Sequence, residues 1–334
     1  MATIRVLAER GIEVHVVHWD NKKLTPYQAP LMNNVYMYKR SELTTGQMKQ
    51  LANDISPAIT VVSGWMDKGY MYVSKQLRSR GVPVVVCFDD QWFGTLRQRF
   101  ASILAGFGFF SLFYSHAWVT GVSQFEYARR LNFKRKNIIF DVYSADLQIF
   151  STAYESSKEK KKKLYPHCFL FVGRFESVKG LDILIQAWND LGDKKRDWEL
   201  HLIGNGSLKS ELETSKGIVI RDFMQPDVLV RTVINSGCFI LPSRSEPWGV
   251  VVHEFASAGL PLIISDAVGA ASTFLITGMN GYSFKMGDPK SLATSLQKII
   301  STSDQELCFM AENSHLLSQR ITPATSAANL LSIS

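Results

Sequence analysis

Two glutamates eight positions apart, Glu246 and Glu254, bracket a short segment that is suited to binding an anion. The segment joins a predicted strand to a predicted helix, so the backbone amides of Trp248, Gly249 and Val250 would lie unpaired at the helix start, where anions bind. Gly249 lets a phosphate approach the backbone closely. Glu254 lies about one and a half turns into the helix, where it can accept hydrogen bonds from both hydroxyls of a ribose, and Glu246 can do the same for a sugar.

A second group of charged residues follows the first predicted strand of the same half of the chain. Arg174 comes directly after Gly173, and Lys179 precedes Gly180 in the same loop. For either glutamate alone, an exposed carboxylate on an ordinary helix is the simpler interpretation. Two fixed cations beside a helix start favour a nucleoside diphosphate-sugar instead, because the departing diphosphate gains charge as the glycosidic bond breaks.

The elements that position these residues alternate between apolar runs and amphipathic segments, which predicts parallel, doubly wound sheets. In the second half of the chain the predicted strands are Cys168–Val172, Trp198–Ile203, Gly217–Ile220, Cys238–Leu241 and Leu260–Ile264. In the first half they are Ile12–Val17, Ala58–Val62, Val82–Phe88, His116–Val119 and Asn137–Phe140. The predicted fold class is therefore α/β, with two Rossmann-like domains.

The chain divides into four predicted parts. Residues 1–155 form a first Rossmann-like domain, residues 156–165 a solvated basic linker, residues 166–302 a second domain, and residues 303–334 helices that pack back on the first domain. A doubly wound domain usually opens with a central strand and a Gly-containing loop. This chain begins within a predicted helix, Thr3–Arg10, so we expect the first domain to lack its first strand, through truncation or real loss.

Composition narrows the class of protein. Hydrophobic residues make up 46% and charged residues 20% of the 334 residues, which excludes disordered and fibrous chains. A net charge of +7 favours an anionic partner, and the basic residues lack the aromatic interleaving of a nucleic-acid groove, so no nucleic acid is expected. The four cysteines show no Cys-x-x-Cys spacing, which fits a reducing cytoplasm.

Taken together, these motifs resemble the donor domain of the retaining glycosyltransferases of family four, which have the GT-B fold. The resemblance rests on Val172-Gly-Arg174, Lys179-Gly180, Gly204-Asn-Gly206, Leu241-Pro-Ser243, the Glu246 to Glu254 pair and Ala258-Gly-Leu-Pro261. It implies a retaining hexosyltransferase that uses neither cofactor nor metal. By the resemblance, Arg174 and Lys179 hold the diphosphate, Glu254 the ribose and Glu246 the donor sugar, while Gly204 and Phe223 lie near the nucleotide.

The resemblance is looser in the first half, which would hold a glycan or lipid-linked acceptor. Asp89 and Asp90 stand where many relatives have a histidine, and His116 is a further acceptor-side candidate. A metal site at Asp89-Asp90 is disfavoured, because the sequence contains no Asp-x-Asp. Two alternatives stay open: a nucleotide-sugar epimerase of similar fold, and a non-catalytic or impaired partner protein, which the missing strand would favour.

One uncharged stretch, Phe100–Phe125, is long and apolar enough to raise the question of a membrane span. A buried or interfacial helix followed by a strand is the preferred interpretation. With the basic run Lys158–Lys163, the stretch predicts peripheral attachment to an anionic bilayer, at the inner face of the cytoplasmic membrane. Core packing and a solvated linker are the simpler alternatives for the two segments.

Overall fold

The computed structural model describes residues 1–20, 30–215 and 217–333. The chain forms two compact units. The first contains the described residues of 1–22, 30–144 and 323–334, and the second contains residues 145–322. The boundary after Ser144 precedes the predicted one at residue 155, because the helix that follows belongs entirely to the second unit.

The first unit alternates strands and helices, and its described strands are parallel. Its elements before residue 144 are α1 (Ala2–Glu9), β1 (Val14–His18), β2 (Val35–Lys39), α2 (Thr45–Ile55), β3 (Thr60–Ser63), α3 (Lys68–Ser79), β4 (Val84–Phe88), α4 (Leu96–Gly106), β5 (His116–Val119), α5 (Val122–Arg130) and β6 (Ile138–Ile139). Helices α2 and α4 begin with capping boxes, in which Thr44 pairs with Gln47 and Thr95 with Gln98.

The strands of the first unit form two separate sheets. One has four strands in the order β3-β4-β5-β6, and the other contains β1 and β2. Among the described strands no ladder joins β1 to β3. Among the described strands, β1 pairs only with β2 and β3 pairs only with β4.

The core of the first unit lies on both faces of the four-stranded sheet. Strand β4 is buried throughout, which its run of β-branched residues permits in a parallel sheet. On one face Phe88, Phe110 and Tyr127 pack together. On the other face Val85 and Trp118 pack against helix α1.

The second unit contains one six-stranded parallel sheet, in the order β12-β11-β10-β7-β8-β9. Its elements are α6 (Leu147–Lys163), β7 (Cys168–Val172), α7 (Leu181–Asp190), β8 (Glu199–Ile203), α8 (Lys209–Leu212), β9 (Ile218–Arg221), α9 (Pro226–Val233), β10 (Cys238–Leu241), α10 (Val250–Ser257), β11 (Leu262–Ser265), α11 (Ala271–Phe274), β12 (Gly281–Phe284), α12 (Pro289–Ser301) and α13 (Asp304–Ser318). The alternation of strand and helix from β7 to β11 is the predicted one, whereas β12 was not predicted. Strands β7 and β10 form the centre of the sheet.

The C-terminal segment is shared between the units, in contrast to the prediction that residues 303–334 all pack on the first domain. Helix α13 packs on α10 and α6 in the second unit. Helix α14 (Pro323–Leu331) packs on α1 in the first unit. There the Ser326 hydroxyl donates a hydrogen bond of 2.6 Å to the carbonyl of Asp141.

The predicted basic linker at 156–165 is wrong for most of its length, because Ser156–Lys163 forms the last turns of α6. The buried positions of that helix include Ala153, Ser157 and Lys161, which share one face. The Lys161 ammonium donates a hydrogen bond of 2.8 Å to the Ser236 carbonyl just beyond α9, and its burial lowers the Lys161 pKa to about 8. A charged run can therefore be an amphipathic helix whose buried lysine finds a carbonyl partner.

The uncharged stretch Phe100–Phe125 spans the end of α4, strand β5 and the start of α5. Phe110, Tyr114 and Trp118 are buried in the two cores of the first unit. Within the described part of the chain, no helix combines the length and the hydropathy that a membrane crossing requires.

Candidate functional site

The candidate site lies in the second unit at the carboxyl ends of its central strands. The amide of Gly173 donates to the Ile203 carbonyl at 3.0 Å, and the amide of Gly204 donates to the Arg221 carbonyl at 3.0 Å. A Cβ added to Gly204 would lie 1.9 Å from the Gly173 carbonyl oxygen, so only glycine permits this close approach. The carboxyl ends of β7, β8 and β9 are therefore joined by hydrogen bonds into one continuous surface, which we call the floor of the site.

Arg174 projects from this floor as an exposed cation. Its neighbour Phe175 is fully buried, and the amide of Phe175 donates to the Asn205 carbonyl at 2.9 Å. Glu176 accepts hydrogen bonds from the amide and the hydroxyl of Ser207, at 3.1 and 2.7 Å. The loop is thus anchored on both sides of Arg174, whose guanidinium has no hydrogen bond or ion pair with any residue that the structure describes.

Lys179 and Glu246 form an ion pair in the same site, between the Lys179 Nζ and the Glu246 Oε2. The Ser243 hydroxyl lies 3.4 Å from the same carboxylate oxygen. The Lys179 and Glu246 side chains are only 14% and 17% exposed, so water screens the pair less than at an open surface. The structure therefore brings together two residues that the sequence predicted for one site.

Arg244 and Asp182 also belong to the site, although the sequence analysis missed them. The guanidinium of Arg244 binds the Asp182 carboxylate through two hydrogen bonds, of 2.7 and 2.6 Å. The same guanidinium donates to the Ser177 carbonyl at 2.7 Å. This bidentate contact fixes the loop after β10 against the turn that carries Lys179. No spacing in the sequence indicates it, because the partners lie 62 positions apart.

Helix α10 begins at Val250, directly after the predicted anion-binding glycine. Gly249 caps the helix with a left-handed φ of 93°, and a Cβ there would lie 3.0 Å from the Glu246 Cγ. Glycine therefore lets the chain turn sharply between the carboxylate and the helix amides. Trp248 is buried, and its carbonyl accepts from the Ala270 amide at 2.9 Å. This hydrogen bond fixes the turn at Trp248 against the segment that contains Ala270.

Glu254 lies on α10, one position beyond a buried histidine. Burial, with a smaller contribution from the charge of Asp146, raises the Glu254 pKa to about 7. His253 accepts a hydrogen bond of 3.1 Å from the Ala145 amide at Nδ1, so its Nε2 carries the hydrogen and donates to the Ser318 carbonyl at 2.8 Å. Burial lowers the His253 pKa to about 4. His253 is therefore a neutral packing residue that fixes the rotation of α10.

The predicted base-lining residue, Phe223, follows β9 by two positions and is half-buried. Strand β9 ends at Arg221, whose carbonyl binds Gly204. Phe223 is therefore close in sequence to the glycine floor, on the side of the site away from β10.

The predicted acceptor-side residues lie in the first unit, and the structure separates them. Asp89 and Asp90 follow the carboxyl end of β4, and the Gln124 side chain donates to the Asp89 carbonyl at 2.9 Å. His116 begins the parallel neighbour β5, three residues and about 10 Å before the carboxyl end of that strand. Burial, with the charge of Arg78, lowers the His116 pKa. His116 therefore lies at the opposite end of the sheet from Asp89 and Asp90, so the structure does not bring these three candidates together.

Comparisons with known proteins find similarity to glycosyltransferases. Residues 153–314 match the model of the family "Glycosyl transferases group 1". An uncharacterized glycosyltransferase of Haemophilus influenzae is 27% identical over 169 residues, which cover 48% of this chain and 47% of that protein. The capsular polysaccharide biosynthesis glycosyltransferase CapM of Staphylococcus aureus is 24% identical over 330 residues, covering 89% of this chain and 83% of CapM. The chain spans about half the length, or less, of several curated relatives that it matches.

Among solved structures, Anabaena Alr3699/HepE in complex with UDP and glucose has a TM-score of 0.69 at 14% identity, and the match covers 90% of this chain and 86% of that one. A likeness at this identity shows the fold. The chain therefore has the GT-B fold of two Rossmann-like units, and its residues 153–314 match group 1 of the glycosyl transferases.

Proposed function

We propose that this chain transfers a hexose from a nucleoside diphosphate-sugar to a glycan or lipid-linked acceptor and retains the anomeric configuration, as in the family-four enzymes that its motifs resemble. The observation that carries the proposal is the Lys179–Glu246 ion pair beside the exposed Arg174. Fixed charges of both signs at the carboxyl ends of parallel strands suit a ligand with a diphosphate and hydroxyl groups. The UDP and glucose bound to Alr3699/HepE support this class of donor.

The proposed contacts to the diphosphate and ribose use groups of matching chemistry. Arg174 and Lys179 bind the phosphates, together with the first amides of α10, those of Gly249 and Val250. The Glu254 carboxylate accepts hydrogen bonds from the ribose hydroxyls. Donated hydrogen bonds favour the ionised carboxylate, whereas burial raises the pKa of Glu254 to about 7, so the proposed contact lowers that pKa.

The proposed contacts to the base and the transferred sugar lie on either side of the contacts to the diphosphate and ribose. The half-buried Phe223 ring and the backbone at Gly204 line the base. Glu246 accepts hydrogen bonds from hydroxyls of the transferred sugar, and its pairing with Lys179 holds it in one orientation. Trp248 contributes its backbone amide beside Gly249, while its buried ring supports the turn.

In the proposed reaction, the bond between the anomeric carbon and the leaving phosphate oxygen breaks as the acceptor hydroxyl attacks from the same face. The proton of that hydroxyl passes to the leaving phosphate oxygen, so no carboxylate of the chain serves as the base. Arg174 and Lys179 stabilise the negative charge that gathers on the diphosphate, and such preorganised electrostatic contacts give most of the rate. In the proposed mechanism, side chains supply the positive charge that offsets this negative charge, and no metal ion or other cofactor has a role.

The first unit is the proposed site of the acceptor. The carboxylates of Asp89 and Asp90 follow a buried strand and can accept hydrogen bonds from acceptor hydroxyls. A lipid-linked acceptor would place the protein at the inner face of the cytoplasmic membrane, in peripheral contact with anionic lipid.

A second candidate function, a non-catalytic partner of the same fold, is favoured by one observation. The break between β1 and β3 leaves two strands of the first unit without a neighbour on one side among the described strands. Such a protein would bind a nucleotide-sugar and neither transfer the sugar nor alter it. Analysis of the sugar after incubation with donor alone also detects epimerisation.

The experiment that tests the proposed function is a thermal-shift screen of nucleotide-sugars, followed by transfer assays on the donors that bind. A donor at a hundred times its dissociation constant adds about 2.7 kcal/mol of stability. We expect at least one donor to stabilise the protein, and Glu254→Ala to abolish the shift. The matched control Glu312→Ala, at an exposed position of α13, should leave the shift unchanged. Absence of any shift across uridine, guanosine, adenosine and thymidine donors would contradict the proposal.

A further inference from the structure

Helix α4 of the first unit exposes one apolar face to solvent. Leu96, Phe100, Ile103 and Phe107 are 85%, 62%, 60% and 87% exposed. At about 100° per residue, these four positions fall within an arc of about 60°. The other side of the helix packs inward, with Ala105 buried. Surface helices of soluble domains normally turn such a stripe toward the core. We call these four residues the α4 face.

The α4 face includes only some of the apolar residues of the uncharged stretch Phe100–Phe125. Phe110, Tyr114 and Trp118 belong to the cores of the first unit and cannot reach a partner. Exposed apolar residues continue at both ends of α4, with Phe93 before it and Leu112 after it. Six exposed large hydrophobic residues thus lie on this one helix and its two flanks.

Basic side chains border the α4 face. Between residues 91 and 140 the chain has seven basic residues and one acidic residue, Glu126. On the helical projection Arg97 and Arg99 stand on opposite sides of the stripe. Both are exposed and form no ion pair with any part of the chain that the structure describes. Their charges are therefore available to an anionic partner.

A second basic cluster lies at the end of α5, and two contacts attach that end to α4 and the segment before it. The Arg130 guanidinium lies 4.7 Å above the Trp92 ring, and the Asn132 side chain donates to the Ala105 carbonyl at 3.3 Å. Directly after Asn132 the chain carries three exposed cations, Lys134, Arg135 and Lys136. The contact at Ala105 is on the side of α4 opposite the α4 face, so Arg97 and Arg99 are the cations that flank this face on the helix itself.

The lysine run of α6 makes a poorer lipid-binding surface. Lys158 and Lys162 pair with Glu155 and Glu159, at 2.6 and 2.8 Å, and Lys161 is buried. The two ion pairs offset part of the positive charge of this run.

From the exposed apolar stripe and its unpaired basic border, we propose that the α4 face inserts into the interface of an anionic lipid bilayer, with Arg97 and Arg99 on the headgroups. Apolar insertion and basic attraction act jointly, and reversible anchoring needs both. The charge favours lipid over a protein partner, because the border carries one sign of charge. Helix α4 begins seven positions after Asp89, so the bilayer would present a lipid-linked acceptor to the proposed acceptor residues. This last step rests on the proposed function, whereas lipid binding does not.

The test is co-sedimentation of the full chain with vesicles of phosphatidylcholine alone or with phosphatidylglycerol. We expect binding to the anionic vesicles that weakens at high salt. Phe100→Ser with Phe107→Ser should weaken binding at least tenfold, and the double change of Arg97 and Arg99 to Gln should weaken it about thirtyfold. The matched controls are Phe309→Ser, at an equally exposed phenylalanine of α13, and the triple change of Lys160, Lys162 and Lys163 to Gln. Both controls should bind as the parent does.

Several results would overturn the lipid proposal. The proposal is wrong if the parent does not bind anionic vesicles, if it binds neutral vesicles equally well, or if the controls lose as much vesicle binding as the α4 variants. A parent chain that is dimeric and becomes monomeric in the Phe100→Ser, Phe107→Ser variant without vesicle binding would assign the face to a second copy. Donor-induced thermal shifts, measured on the same variants, report folding and the proposed donor site separately, so failure of the lipid proposal is distinguishable from failure of the proposed function.

Discussion

The ammonium of Lys179 lies against the carboxylate of Glu246, although 67 positions separate them in the chain. The contact joins the loop after β7 to the loop after β10, and Arg244 reinforces the same junction through Asp182. Two groups proposed to contact the phosphates and the transferred sugar are therefore fixed relative to each other before any donor binds. Preorganisation of this kind is what electrostatic stabilisation of a leaving group requires.

Removing either member of this pair should harm both activity and stability. We expect Lys179→Ala and Glu246→Ala each to lower turnover at least a hundredfold and to cost about 1–3 kcal/mol in the free energy of unfolding, because the remaining charge is largely buried. The double variant should lose less stability than the sum of the single variants. Urea unfolding of the four proteins measures this coupling, and strictly additive losses would show that the two charges do not interact.

Arg174→Ala should separate catalysis from folding. Because the side chain is exposed and forms no hydrogen bond or ion pair with a described residue, we expect stability to change by less than about 0.5 kcal/mol while turnover falls at least a hundredfold. The control Arg231→Ala, at an exposed position of α9, should leave both unchanged. Restoration of Arg174→Ala activity by a divalent metal ion, or loss of parent activity on chelation, would refute the proposed charge stabilisation by side chains.

Donor affinity should rise with pH because of Glu254. Its pKa of about 7 leaves it mostly protonated at pH 6, and the proposed ribose contact favours the ionised form. Between pH 6 and 8 we expect affinity for a nucleotide-sugar to increase by about tenfold in the parent, from the ionised fractions alone. Calorimetry of Glu254→Gln should show weaker binding without this rise. An equally steep rise in the variant would place the titrating group elsewhere.

The neighbouring His253 and Glu254 should respond to pH in opposite directions. Between pH 6.5 and about 4 the unfolded chain protonates His253 while the folded chain does not, so acidification costs about 3 kcal/mol through this group. Between pH 4.5 and about 7 the folded chain holds a proton on Glu254 that the unfolded chain has lost, so this group destabilises the fold as pH rises.

Single variants reveal the two effects. We expect Glu254→Gln to gain stability relative to the parent as pH rises from 5 to 8. His253→Gln should lose less stability than the parent on acidification from pH 7 to 5. Chemical unfolding of the three proteins across this range gives the comparison. Parallel pH profiles for all three would mean that neither group titrates as its burial indicates.

The sequence predicted the parts of the site that depend on local chain geometry. Glu246, Gly249 and Glu254 lie where a strand, a turn and a helix follow one another along the chain. The residue periodicity of the strand and the helix is therefore almost enough to predict their positions. The Arg244–Asp182 contact needs the three-dimensional neighbourhood of two loops, and no spacing encodes it. His116 begins a strand, as the sequence predicts, but its distance from Asp89 and Asp90 follows from the parallel pairing of β4 and β5.

The fold was predicted best where apolar runs are continuous. Strands β7 and β10 are buried on both faces and read clearly as apolar segments. Strand β2 and helix α2 were missed, because β2 exposes several of its residues and α2 has one buried residue, Met48. The charged end of α6 was taken for a linker, since its composition obscures the spacing of the buried positions.

The most direct measurement of the central claim is a crystal structure of the chain with the nucleotide-sugar that stabilises it. We expect the diphosphate to lie between Arg174, Lys179 and the first amides of α10, with the ribose hydroxyls within hydrogen-bonding distance of Glu254. A nucleotide bound elsewhere, or in this site with its ribose out of reach of Glu254, would contradict it.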